Sequence, residues 1–273
     1  MRRLLAVAVL FSVLSMGVPL TLRSLHRRFF GVKPGVTLES QRMQGYYEHE
    51  VWIVVEQMAE RIQRPARPAA IHKETGEVIP HENGIYVDID ATVHKVMQAP
   101  AGAELKVETV EIIPTLRTEH LEGLDTILGD FSTPLMGSPD RVHNIRLSLA
   151  AINNTLVMPG EVFSFNGVVG ERTKERGYRN APIILGEAVV PGVGGGICQT
   201  SSTLYNAVRL AKLEVVERRI HSIAPSYIQH GRDATVAWPH TDFKFRNNSP
   251  YPVIVKGAIQ GWRVRVWIVG RQD

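Results

Sequence analysis

At 273 residues the chain has room for one or two domains with cores of their own and is too short for a long repeat array. Hydrophobic residues at 44% and charged residues at 21% exclude a wholly disordered chain and a multi-span membrane protein. The formal charge of +4 is unevenly placed: Arg2, Arg3, Arg23, Arg27 and Arg28 fall within the first 31 residues, which hold no acid, and the remainder carries 26 basic and 27 acidic groups. The folded part therefore offers no electrostatic case for nucleic acid as a partner. Cys198, the single cysteine, is a free thiol, a metal ligand or a partner for another chain.

Leu4–Leu22 is an uncharged, mostly apolar run behind Arg2 and Arg3, long enough for a secretory signal or one membrane span. With no small-x-small cleavage site after it, residues 1–31 are expected to form an uncleaved anchor, with the rest outside the cytoplasm in a bacterial envelope. A cleaved signal and secretion is the alternative.

Residues 36–43 suit a strand, and Tyr47, Val51, Val54, Val55, Met58 and Ile62 recur on one helical face until Pro65 and Pro68 intervene. Short β-like runs at 69–72, 77–80 and 84–87 are separated by turn residues and predict a small antiparallel sheet. Asp88 or Asp90 caps a short helix through Met97, and Lys106–Ile113 alternates like a strand. Residues 36–114 thus read as a compact α+β module.

Beyond Pro114, Val142, Ile145, Leu149 and Ile152 mark a helix behind Pro139. A turn and short strand follow at 157–166, a polar loop at 170–178, and another strand at 182–190. Residues 198–213 form the next helix, with Leu204, Val208 and Ala211 aligned. Strands are then expected near 215–220, 234–238, 242–245, 252–257 and 262–269. The second region, 119–270, is therefore expected to be a mixed or mainly antiparallel sheet with that helix packed on it.

Most of the chemical information lies in Pro191–Gln199, where Gly192, Gly194, Gly195 and Gly196 precede Cys198 at the head of a helix. Glycines free the backbone for positive φ and close approach. A thiol at a helix N-terminus sits in a field that favours the thiolate, which attacks carbonyl carbon. His221, Asp233 and Asp242 follow as a general base and two alternative orienting groups. Their order resembles that of papain-like and transglutaminase-like enzymes, whose thiol heads a helix and whose partners come from the following sheet. In those enzymes the histidine lies on a later strand; here His221 comes early and Asp233 falls near the histidine's place.

Each residue has a plainer reading. Cys198 is then a small buried hydrophobe, His221 a hydrogen-bonded structural histidine, and the aspartates acceptors at strand ends. The sequence has no nucleotide-binding P-loop and no H-E-x-x-H, its histidines are scattered, and one cysteine makes no metal cluster, so no metal or cofactor is expected. Glu161, Glu171 and Glu175 lie among loops, as solvated surface or as a glycosidase-like carboxylate set.

The segments R-x-x-N-I ending in I-N (141–153), P-G-E-x-F-S-F-N-x-x-x-G (159–170), R-G-Y-x-x-A (176–181), G-x-G-G-G-I-C-Q-x-S-S-T-L-Y-N-A (192–207), E-R-x-x-H-S (217–222) and G-x-D-A-T-V (231–236) together resemble the VanW family. Asn154 stands where relatives usually carry glycine. The resemblance implies a cell-wall protein of Gram-positive type with peptidoglycan as partner, and residues 36–114 resemble the peptidoglycan-binding module that often precedes such a domain. On this reading Cys198 attacks a peptide bond, His221 shuttles the proton, Asp233 or Asp242 orients the imidazole, and N–H groups of 196–199 hold the oxyanion. Gly194, Gly195, Gly196, Gln199, Arg172, Arg176 and Tyr178 shape the groove for glycan or stem peptide. The alternatives are a non-catalytic binding module and a scaffold among wall-synthesis proteins.

Overall fold

The computed structural model describes residues 25–186 and 188–271. The apolar run Leu4–Leu22, expected to act as anchor or signal, lies outside them. Among the described residues no helix is long and apolar enough to cross a membrane. The chain divides into two compact units, one running up to Arg67 and including Glu82–Thr115, the other made of Pro68–His81 and the chain from Leu116 onwards. Each is of α+β type with mainly antiparallel strands.

In the first unit β1 (Thr37–Leu38) and β2 (Gln41–Arg42) form a hairpin whose turn residues Glu39 and Ser40 take positive φ. Helix α1 (Glu48–Ile62) buries Val51, Val55 and Ala59, one turn apart, as its apolar stripe requires. The chain leaves through β3 (Ala70–Ile71) and β4 (Val78–Ile79) and returns as β5 (Gly84–Val87), α2 (Ile89–Gln98), β6 (Glu104–Leu105) and β7 (Thr109–Ile112). Asp88, not Asp90, caps α2, its side chain accepting from the Ala91 N–H at 2.9 Å. Val36, Leu38, Met43, Val87, Val93 and Val96 complete this core with the α1 stripe.

The expected sheet of three β-like runs separates into two pairs, β3 with β4 and β5 with β7. The first pair belongs to the second unit, where Lys73 Nζ donates to the Ala151 carbonyl at 2.7 Å and Asn154 donates to the Lys73 carbonyl at 2.9 Å. The module expected as continuous over 36–114 is therefore interrupted at 68–81. It also extends further upstream than residue 36, because Arg27 donates to both Glu50 carboxylate oxygens and to the Gly45 carbonyl.

The second unit continues with β8 (Thr126–Pro134), α3 (Pro139–Ile152), β9 (Thr155–Val157), β10 (Val162–Ser164), α4 (Phe165–Val169), β11 (Asn180–Leu185), β12 (Ala188–Val193), α5 (Ile197–Leu210), β13 (Glu214–Glu217), β14 (Lys244–Arg246), β15 (Val253–Gln260) and β16 (Arg263–Gly270). Four strands form an antiparallel sheet in the order β8-β16-β15-β9, with α5 against β8 and β16 and α3 against β15. Strands β10, β14 and β13 form a second sheet, and β11 and β12 a separate hairpin.

The five tail strands do not make one sheet: β13 and β14 join β10, β15 and β16 join β8, and the run at 234–238 contributes isolated bridges at Thr235 and Ala237. The run at 182–190 is two strands, not one, turning at Gly186. Strand β8 was not legible in the sequence, being interrupted by Gly129 and closed by Pro134. Gly129 is where α5 lies closest, since a Cβ there would meet the Ala207 carbonyl oxygen at 2.2 Å.

Candidate functional site

Helix α5 buries Ile197, Leu204, Tyr205, Ala207 and Val208 in the core, but the residues between the first two, Gln199 to Thr203, are polar and equally buried. Every one of those polar groups has a partner, as burial demands. Thr200 is 2.7 Å from Ser148 of α3, and Thr203 is 2.9 Å from Thr133 of β8. Ser201 Oγ donates to the Ala234 carbonyl at 2.6 Å, the Ala234 N–H donates to Ser202 Oγ at 2.9 Å, and Asn206 donates to the Arg232 carbonyl at 2.7 Å. One polar stripe of the helix thus stitches the loop 232–234 to the turn that begins with Cys198.

The glycine run seats this helix. Gly196, at φ 107, is its N-cap, and a Cβ there would meet Arg141 and Ile145 of α3 at 2.9–3.1 Å. A Cβ on buried Gly195 would meet the Ala181 carbonyl oxygen at 2.5 Å, and one on buried Gly194 would meet Arg172 Cβ at 3.0 Å. The space beside these glycines, expected to receive a ligand, is taken by the chain itself. Gln199 is fully buried and bonded on all sides: Nε2 donates to Thr133 Oγ1 and the Pro134 carbonyl, and Oε1 accepts from Arg141. It belongs to the interior and not to a groove.

The loop held by α5 brings Asp233 to His221. Asp233 Oδ2 accepts from the His221 ring at 2.6 Å and from the His221 N–H at 2.7 Å, with the two residues 1% and 6% exposed. The bond to the carboxylate assigns the proton to Nδ1 and leaves Nε2 as the free acceptor. Arg218 stands 4.0 Å from Asp233 Oδ1, an ion pair beyond hydrogen-bond reach. Burial favours neutral imidazole, but the Cys198 sulfur, as hydrogen-bond partner and as charge, and the Asp233 carboxylate outweigh it and raise the His221 pKa above its ordinary value. Burial likewise acts upward on Asp233, and the N–H and ring of His221 bring it below the ordinary carboxylate value. Cys198 is partly exposed, and its Sγ is 3.4 Å from the Val236 carbonyl oxygen.

Asp242, the other expected orienting group, is bonded elsewhere: it accepts from Ser164 Oγ at 2.6 Å and from the N–H groups of Asn166 and Phe243 at 2.8 Å. It fastens the start of β14 to the turn entering α4. In the stretch expected to furnish an oxyanion hole, the Ile197 and Gln199 N–H groups are bonded to the Gly194 and Gly196 carbonyls, which leaves those of Gly196 and Cys198 among the described residues.

Tyr227 was missed in the sequence, where it carries no motif. Its hydroxyl is 3.5 Å from Ser202 Oγ, one turn along α5 from Cys198, and the Arg141 guanidinium lies 5.8 Å from its ring centre. Burial, then the nearby Cys198 charge, raises its pKa and keeps it a neutral donor. Arg172 lies by Phe165, 5.7 Å from the ring centre, and burial lowers its pKa against the pull of Tyr178, Cys198 and Asp242. Tyr178 is buried, and Arg176 is exposed and donates to the Glu171 carbonyl, bracing the loop. Glu161, Glu171 and Glu175 are exposed, as solvated surface would be. An open cleft of about 550 Å³ is lined by Asp140, His143, Lys174, Tyr178 and Arg179, and neither Cys198 nor His221 lines it.

The VanW family profile, described as VanW like protein, matches residues 140–269. The chain is 38% identical over 214 residues to an uncharacterized protein of Bacillus subtilis, YoaR, across 76% of this chain and 70% of that protein. It is 29% identical over 115 residues to the vancomycin B-type resistance protein VanW of Enterococcus faecalis, across 40% of this chain and 42% of that one. No solved structure matches it.

Proposed function

The chain belongs to the VanW family, and from that premise we propose that it works at the bacterial cell wall, outside the cytoplasm, cleaving or exchanging a peptide bond of peptidoglycan with Cys198 as nucleophile. The observation that carries this reading is the buried His221–Asp233 pair, whose 2.6 Å bond fixes the imidazole, together with the influence of Cys198, in the first turn of α5, on the pKa of that imidazole. Such a set is the working part of thiol acyl transferases on unrelated folds.

The sulfur attacks the amide carbonyl carbon as its proton passes to His221 Nε2. The tetrahedral oxyanion takes hydrogen bonds from the Cys198 and Gly196 N–H groups. His221 then returns the proton to the leaving nitrogen, the C–N bond breaks, and a thioester remains on Cys198. Water resolves the thioester to a carboxylic acid; the amine of a second peptide resolves it to a new amide. Asp233 keeps the ring in its tautomer and stabilises the imidazolium.

The first unit is proposed to hold peptidoglycan, and the apolar run Leu4–Leu22 to retain the chain at the membrane. The test is incubation of purified protein with sacculi, followed by mass spectrometry of the released or newly linked peptides. Activity in wild type that disappears in Cys198→Ala is the expected result. Activity that survives the substitution overturns the mechanism, and binding of sacculi by both proteins with no change in the peptides leaves a non-catalytic wall-binding module.

A further inference from the structure

Two guanidinium groups stand near Cys198 with no acidic side chain in ion-pair contact among the described residues. Arg141 is held by neutral acceptors, donating to the Met136 carbonyl at 2.6 Å and to Gln199 Oε1 at 2.8 Å. Arg172 has less: Nη1 and Nη2 are both shut off from water, and neither has a hydrogen-bond partner. Its Cβ packs on the Gly194 turn that leads into α5, so it is fixed by the same backbone that places the nucleophile. Isolated charge in the interior is unfavourable, and a guanidinium presents a planar fork of donors that matches a carboxylate in two parallel bonds.

We propose that Arg172 receives a carboxylate of the substrate, so that Cys198 acts on peptides that carry a free carboxylate beside the attacked amide. This rests on the reading of Cys198 as the site of peptide chemistry. The Arg172 residue as a whole is only partly buried, so rotation of its long side chain brings the fork to an incoming group. Arg141, tied to Gln199, supplies a second positive charge without moving. A carboxylate satisfies donors that nothing in the chain satisfies, whereas an amide in its place leaves one positive charge uncompensated.

The experiment measures calorimetric affinity of the full chain carrying Cys198→Ala for diacetyl-lysyl-D-alanyl-D-alanine with a free C-terminal carboxylate, and for the same peptide as its C-terminal amide. The acid is expected to bind at least about tenfold more tightly, a preference worth about 1.4 kcal/mol. Adding Arg172→Gln should reduce the difference to less than about twofold, and Arg172→Lys should keep part of it, since the charge remains and the fork is lost. Circular dichroism checks folding, and if the glutamine variant is unfolded the lysine variant decides. Equal affinity for acid and amide, binding of neither, or a preference unchanged by both substitutions overturns the proposal. Processing of both peptides alike by wild type would also remove the carboxylate site and leave the Cys198 chemistry standing. An Arg172-dependent acid preference in a protein whose wild type leaves both peptides intact would do the reverse.

Discussion

His221 and Asp233 form a two-point contact in which one carboxylate oxygen holds both the backbone and the ring of the histidine, and that geometry has consequences in solution. The raised His221 pKa means that its contribution to stability is fully present below the unfolded value near ~6.5 and fades as pH rises through the folded value. The lowered Asp233 pKa works from the other side, with its contribution present above ~3.9 and lost as pH falls through the folded value. Urea unfolding of wild type and Asp233→Asn should therefore differ most between about pH 4 and 6.5, converge at lower pH as Asp233 is protonated, and keep a smaller difference at higher pH, where the His221 N–H still donates to the carboxylate. In the pH profile of kcat/KM, Asp233→Asn should also move the limb belonging to His221 to lower pH, and lower the rate by about a hundredfold or more through loss of the oriented tautomer. Arg172 predicts the opposite effect on stability. Replacing its unpartnered guanidinium with methionine should stabilise the protein by about 1–3 kcal/mol in the same urea assay, the expected behaviour of a residue kept for a ligand and not for the fold.

At the scale of elements, α5 is placed by glycines on both its flanks: the run before it and Gly129 on β8. Gly129→Ala pushes a methyl group into the Ala207 carbonyl oxygen and the Ala211 nitrogen, both backbone atoms with no freedom to yield. Its expected cost is about 2–3 kcal/mol by urea unfolding. Gly261→Ala is the comparison: its φ of 56 carries a strain of about 1 kcal/mol, but its surroundings are open. A Gly129→Ala protein no less stable than Gly261→Ala would contradict the close seating of α5 on β8. Helices α1, α3 and α5 were legible because their apolar residues recur every three or four positions and because Pro139 marks the start of α3, whereas the short α4 falls where a strand and a loop were expected. Strand β8 was not, since a glycine demanded by a neighbouring helix looks in sequence like a turn. Asn154, read as standing at a turn where glycine is usual, does take φ 55 and tethers Lys73 and Lys256 through its amide.

At the scale of the whole molecule, the hairpin β3–β4 contributes Ala69 and Ile71 to a small cluster with Leu121, Leu124, Ile254 and Val269, all within the second unit. A fragment spanning 116–271 lacks that cover and the Lys73 bonds to Ala151 and Thr155. It should melt at a lower temperature than a fragment spanning 68–271 in a differential scanning experiment, and equal melting temperatures would show that the hairpin adds nothing. The sequence offered no sign of this exchange, because residues 68–81 have the same short, turn-separated β pattern as their neighbours at 84–87. Which unit takes a strand is settled by side chains about 80 residues away, such as Asn154.

By itself the sequence determined the α+β class, the helix with Cys198 in its first turn, and the residue types from which the proposed thiol site is built, since periodicity, capping and glycine clustering are local properties of the chain. The choice of Asp233 over Asp242, the loss of Gln199 and the glycines to the interior, and the entry of Tyr227 belong to tertiary structure alone. They depend on which hydrogen-bond partners a buried polar group finds across tens of residues, and nearly all buried donors and acceptors find one whatever its distance along the chain, the Arg172 fork being an exception.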